Sequence, residues 1–136
     1  MPSSTQIYGL DTSVFVRLLT GHPEREFQET SLALKKLHEK VHAAELVVSN
    51  QVIGEAYITL QHHYSISKED ARAAILQLFD TGFISPLNGQ SIFEILKCSG
   101  GAGLMDRLIA NDYQNRDADV LTNDKRMSKL PGATLL

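Results

Sequence analysis

Hydrophobic positions along the chain follow two rhythms. Short apolar runs without helical spacing occur at residues 7–10, 46–48, 83–87, 120–122 and 133–136, and between them apolar residues return every three or four positions. The first rhythm predicts strands and the second predicts helices. Residues 7–10 read as a buried strand that ends on Asp11. Asp11, Thr12 and Ser13 are all good helix caps, and residues 14–19 resume as a short helix that Gly21, His22 and Pro23 break. Residues 24–45 read as one long amphipathic helix with Phe27, Ser31, Leu34, Leu37 or His38, and Val41 along one side. The β-branched run at 46–48 is followed by Ser49 and Asn50, two further caps. Val52, Ile53, Ala56, Tyr57 and Leu60 then recur at helical spacing until His62, His63 and Tyr64 close the helix.

Ser67 to Asp70 forms a capping-box pattern ahead of a helix over 71–79, which Gly82 stops. Residues 83–87 predict a strand with Pro86 near its end, and residues 91–98 a helix. Residues 99–103, with three glycines, predict a flexible loop. A helix follows over 104–113 with Leu104, Leu108 and Ile109 inward, then a turn at Asn115–Asp117, a strand at 120–122 and a last edge strand at 133–136. Strands and helices alternating at this pitch imply an α/β domain with a mainly parallel sheet between helices, and the length of 136 residues suits one domain over 1–136.

Composition narrows the function classes. A hydrophobic fraction of 43% with 21% charged residues is that of a globular protein, and no apolar run approaches the ~18 residues that span a bilayer, so no membrane association is expected. Residues 1–5 lack the basic start and apolar segment of a secretory signal. The single cysteine, Cys98, excludes an internal disulfide, fits a reducing cytoplasm and carries no nucleophile signature. A net charge of −3 argues against a protein that holds nucleic acid by bulk electrostatics, but it leaves room for a nuclease whose carboxylates are neutralised by bound cations.

Of the 16 acidic residues, four fall at strand ends or helix starts. Asp11 ends the first strand, Glu55 lies just over a turn into the helix after the second, Asp106 sits in the first turn after the glycine loop, and Asp124 follows the strand at 120–122. In an open parallel sheet these positions share one edge, provided that the helix carrying Asp106 begins there as well. Carboxylates gathered at one edge repel one another unless a cation compensates them, and hard oxygen ligands favour Mg²⁺ or Mn²⁺. The alternative is four unrelated caps and surface acids.

Four segments together carry a resemblance: Leu10-Asp11-Thr12-Ser13-Val14, Val52-Ile53-Gly54-Glu55, Gly103-Leu104-Met105-Asp106-Arg107-Leu108-Ile109-Ala110, and Leu121-Thr122-Asn123-Asp124-Lys125-Arg126. Over nearly its whole length the chain resembles a PIN domain, and within that family the VapC-type toxins of toxin–antitoxin pairs. The resemblance implies a three-layer α/β/α fold with a four- to five-stranded sheet and Mg²⁺-dependent endoribonuclease activity. It also implies that Asp11, Glu55, Asp106 and Asp124 form the acidic metal cluster, with the hydroxyls of Thr122 and Thr12 supporting it. Homodimers and a cognate antitoxin are implied as partners beside the RNA substrate. Arg107 stands where many relatives have a small residue, and Met127 where an aromatic often follows the fourth acid. Arg107, Lys125 and Arg126 are candidate RNA contacts or simply solvated charges.

Other readings compete with this one. A free-standing PIN nuclease would carry the same acids, and a non-catalytic member of the fold would bind a partner without binding Mg²⁺. His38-Glu39-Lys40-Val41-His42 is a literal H-E-x-x-H, the helical signature of a zinc peptidase, but Lys35, Lys36, Lys40 and Glu45 mark its helix as solvated. Gly101-Ala102-Gly103 is not a dinucleotide fingerprint, since the third glycine is missing and the loop does not follow the first strand.

Overall fold

Leu46, Val47 and Val48 are consecutive in the chain and all buried, so the second strand is covered on both faces, as an inner strand of a parallel sheet is. The computed structural model describes residues 6–41 and 43–136. The chain divides into two compact units, Met1–Leu87 and Asn88–Leu136.

In the first unit, strand β1 (Ile7–Gly9) leads through Leu10 into helix α1 (Thr12–Thr20), and helix α2 (Glu24–Lys40) leads to strand β2 (Glu45–Val48). Helices α3 (Asn50–His63) and α4 (Lys68–Asp80) follow, and the short strand β3 (Ser85–Pro86) ends the unit. The sheet order is β1-β2-β3 with both pairings parallel, Tyr8 opposite Leu46 and Val48 opposite Pro86. Helix α1 packs against α2, α3 and α4. Phe15, Ile53, Leu60, Ile75 and Ile84 are wholly buried, and the Phe15 ring stacks on Phe79 with centroids 5.7 Å apart. Such an aromatic pair adds to what burial alone contributes.

Three expectations change here. Strand β1 is not buried: it lies at one edge of its sheet, and Ile7 is 55% exposed. An apolar run marks a strand without saying which neighbours cover it. Helix α2 stops at Lys40 rather than running to residue 45, because Val41 turns extended at φ −110° and ψ 101° and Glu45 already belongs to β2. No residue of α2 is fully buried, so its expected apolar side is only half-covered. The strand expected over 83–87 shrinks to Ser85–Pro86, its pairing continued by the Leu87 N–H on the Val48 carbonyl.

The second unit contains α5 (Ser91–Lys97), α6 (Leu104–Gln114), β4 (Val120–Thr122) and β5 (Ala133–Leu135). Helices α5 and α6 pack together, and Asn111, buried in α6, accepts from the Asn88 amide and donates to the Ser91 hydroxyl. Strands β4 and β5 pair in parallel, joined by the 3-10 turn Met127–Lys129 in place of a crossover helix. Ala110, Val120 and Met127 form a small core with Leu130 and Ala133 against it. Ile109 points outward, 44% exposed, where an inward position is expected from the sequence; Ala110 is buried instead. Among the described residues five strands thus form a three-stranded and a two-stranded sheet, both parallel, and the fold class is that of helices with parallel strands.

Candidate active site

Asp11 occupies the turn between β1 and α1. As the N-cap of α1 its Oδ1 accepts the Ser13 backbone N–H at 2.6 Å and the Ser13 hydroxyl at 2.9 Å. Aspartate suits this place because it satisfies a free helix-end donor and faces the positive end of the helix dipole. The Ser13 hydroxyl, then the Ser13 N–H, hold its carboxyl below the usual aspartate range.

Glu55 stands on α3, which starts directly after β2 with Ser49 as its cap. Both of its oxygens are held. Gln51, one turn earlier on the same helix, donates its amide to Oε1 at 2.9 Å, and Thr12 of α1 donates its hydroxyl to Oε2 at 2.8 Å. Gln51 first, and Thr12 second, lower the Glu55 pKa, whereas partial desolvation and the negative charge of Asp11 push it upward. The negative charge of Asp11 thus opposes ionisation of Glu55, and the donors around each carboxylate favour its charged form. The supporting role of Thr12 is foreshadowed by its motif, but that of Gln51 is not. The signal that points to Gln51 is its four-residue spacing from Glu55 on a helix, where an amide and a carboxylate face each other.

In the second unit Asp106 lies in the first turn of α6, half-buried, after Gly103. Its neighbour Arg107 folds back on the preceding loop, donating from Nε to the Ala102 carbonyl at 2.9 Å and from Nη2 to the Gly100 carbonyl at 3.1 Å. Gly100 and Gly101 both have positive φ, which glycine adopts without strain, so the loop expected to be flexible is braced by an arginine. Asp124 follows β4. Its Oδ1 accepts the backbone N–H groups of Arg126 and Met127 at 2.8 and 3.0 Å, which closes the turn that leads into the 3-10 helix. Thr122 accepts the Asp124 N–H at 3.0 Å, so its hydroxyl shapes the turn. Lys125 and Arg126 are exposed.

The four acids thus divide two and two between the units. Among the described residues no group of three or more His, Cys, Asp or Glu side chains is gathered so as to hold a metal ion, so the expected four-acid cluster is not seen as such. Asp11 and Glu55 do present the hard, ionised oxygens that Mg²⁺ takes when one or two carboxylates hold it together with waters and substrate phosphates. The zinc-peptidase reading loses its helix: α2 ends at Lys40, His42 lies outside the described residues, and the His38 ring stacks on Phe83 at 5.1 Å.

A family model described as "PIN domain" matches residues 8–133. The chain belongs to the PIN domain family, whose members are generally nucleases that use divalent metals. No curated protein and no solved structure matches the chain significantly. Among the described residues no helix is long and apolar enough to cross a membrane.

Proposed function

We propose that this chain is a Mg²⁺-dependent endoribonuclease acting as the VapC-type toxin of a toxin–antitoxin pair. The observation that carries the reading is the pair of carboxylates that follow β1 and β2, Asp11 and Glu55, each oriented by hydrogen bonds from neighbouring donors. In this reading Asp11, Asp106 and Asp124 would be the principal metal ligands, and Glu55 would be a direct or water-mediated ligand that helps to orient the attacking water. Mn²⁺ would serve in place of Mg²⁺. A bound divalent ion would lower the pKa of a coordinated water and neutralise charge on the phosphodiester. In-line attack by water then expels the 3′ oxygen and leaves a 5′ phosphate on the downstream fragment. Residues 1–136 act as one domain, as a homodimer in the cytoplasm, restrained by a cognate antitoxin; Lys125 and Arg126 meet RNA phosphates.

The test is cleavage of a mixed cellular RNA pool by the purified protein with Mg²⁺, Mn²⁺ or EDTA, beside Asp11→Asn. Discrete cuts that need the metal and vanish in the variant are expected. Absence of cleavage by a folded, antitoxin-free preparation overturns the nuclease reading, and cleavage that survives both EDTA and Asp11→Asn identifies a contaminant.

A further inference from the structure

Glu55 ends a flexible side chain on an exposed helix face, and the negative charge of Asp11 repels it. A carboxylate so placed would swing toward solvent unless something held it. Two donors from different elements do so: Thr12, from α1, takes Oε2, and Gln51, from α3 itself, takes Oε1. The Thr12 bond alone would leave the carboxylate free to turn about one oxygen. The second bond fixes the plane of the group.

We propose that Gln51 is a positioning residue that sets the orientation of the Glu55 carboxylate for cation binding. This rests on the metal-dependent reading above. Gln51 touches neither substrate nor cation; it acts through Glu55. Its amide is well suited to the task, because it supplies a donor without adding positive charge that would compete with the cation, and because its helical spacing makes the bond geometrically easy. The remaining hydrogen-bonding capacity of the two Glu55 oxygens stays available, since each carboxylate oxygen accepts more than one bond.

The test measures Mn²⁺ binding by electron paramagnetic resonance of the free ion, using the full chain, Gln51→Met and Gln61→Met. Methionine keeps the length and helix preference of glutamine and removes the donor. Gln61 is the control, a glutamine of α3 whose amide bonds the Tyr57 carbonyl. Gln51→Met is expected to weaken Mn²⁺ binding by about tenfold, as removal of a group that orients a ligand does. In RNA cleavage it should lower kcat with KM unchanged, and Gln61→Met should match the parent in both. Equal Mn²⁺ affinity in the parent and Gln51→Met overturns the role of Gln51 while leaving the nuclease reading intact. A parent that binds no Mn²⁺ at millimolar concentration overturns both.

Discussion

The Thr12 hydroxyl donates to Glu55 Oε2 at 2.8 Å, joining two residues 43 positions apart in the chain. One is the first residue of α1 and the other lies within α3. Thr12→Val keeps the shape of the side chain and removes the donor. Mn²⁺ affinity should fall by about tenfold with little change in Tm, because the bond is solvent-exposed. Calorimetric titration with a parallel melting curve checks both.

Asp11 has two separable roles, cap and candidate ligand. Asp11→Asn retains a good N-cap and should preserve the fold while cutting RNA cleavage by at least about 100-fold. Asp11→Ala removes the cap as well and should also lower Tm. Equal Tm values for the two variants would contradict the capping role.

The lowered pKa values of Asp11 and Glu55 fix the direction of a pH effect. Because both folded values lie below the unfolded ones, their contribution to stability is fully present above the ordinary carboxylate range, roughly pH 4, and is lost as pH falls through the folded values. Ser13→Ala weakens the hold on Asp11. Its Tm should fall below that of the parent at neutral pH, and the gap should narrow as the solution is acidified below that range. Both groups are exposed, so salt should shrink the difference.

How far each feature is legible in the sequence depends on which interaction makes it. Caps are legible because they are local: Asp11, Ser49 and Ser67 each accept a backbone N–H in the turn that follows. The exposure of Ile7 and the end of α2 at Lys40 are not, since they depend on strand neighbours and on where β2 begins. Asp11 and Glu55 are both placed after strands by the hydrophobic pattern, and the structure joins their surroundings through Thr12. Gln51 escapes notice because an exposed glutamine on a helix usually faces water, and only the position of Glu55 gives it a partner. Arg107 reads as a free cation, but two of its nitrogens bind loop carbonyls that no spacing rule identifies.

That difference among the cations gives a further prediction. Lys125→Ala and Arg126→Ala should each reduce the salt dependence of RNA binding, by about 0.7 in the slope for every phosphate no longer neutralised on a single strand. Arg107→Ala should leave the slope unchanged and instead speed hydrogen exchange in residues 100–103. Filter binding across a salt series, using a metal-free buffer to prevent cleavage, separates the two classes.

Burial of Phe15, whose ring stacks on Phe79, should contribute strongly to the stability of the first unit. Phe15 is wholly buried, and Phe15→Ala should cost about 3–5 kcal/mol. Denaturant unfolding of the parent and variant measures this directly.

Parallel pairing of β4 with β5 places Leu135 opposite Thr122, and the Leu136 N–H bonds the Thr122 carbonyl. Both strands therefore finish at the same end, beside the turn that presents Asp124. A polypeptide fused after Leu136 would emerge next to this turn, so the position of an affinity tag is a chemical variable: a polyhistidine tail there would bring competing metal ligands to the neighbourhood of that carboxylate.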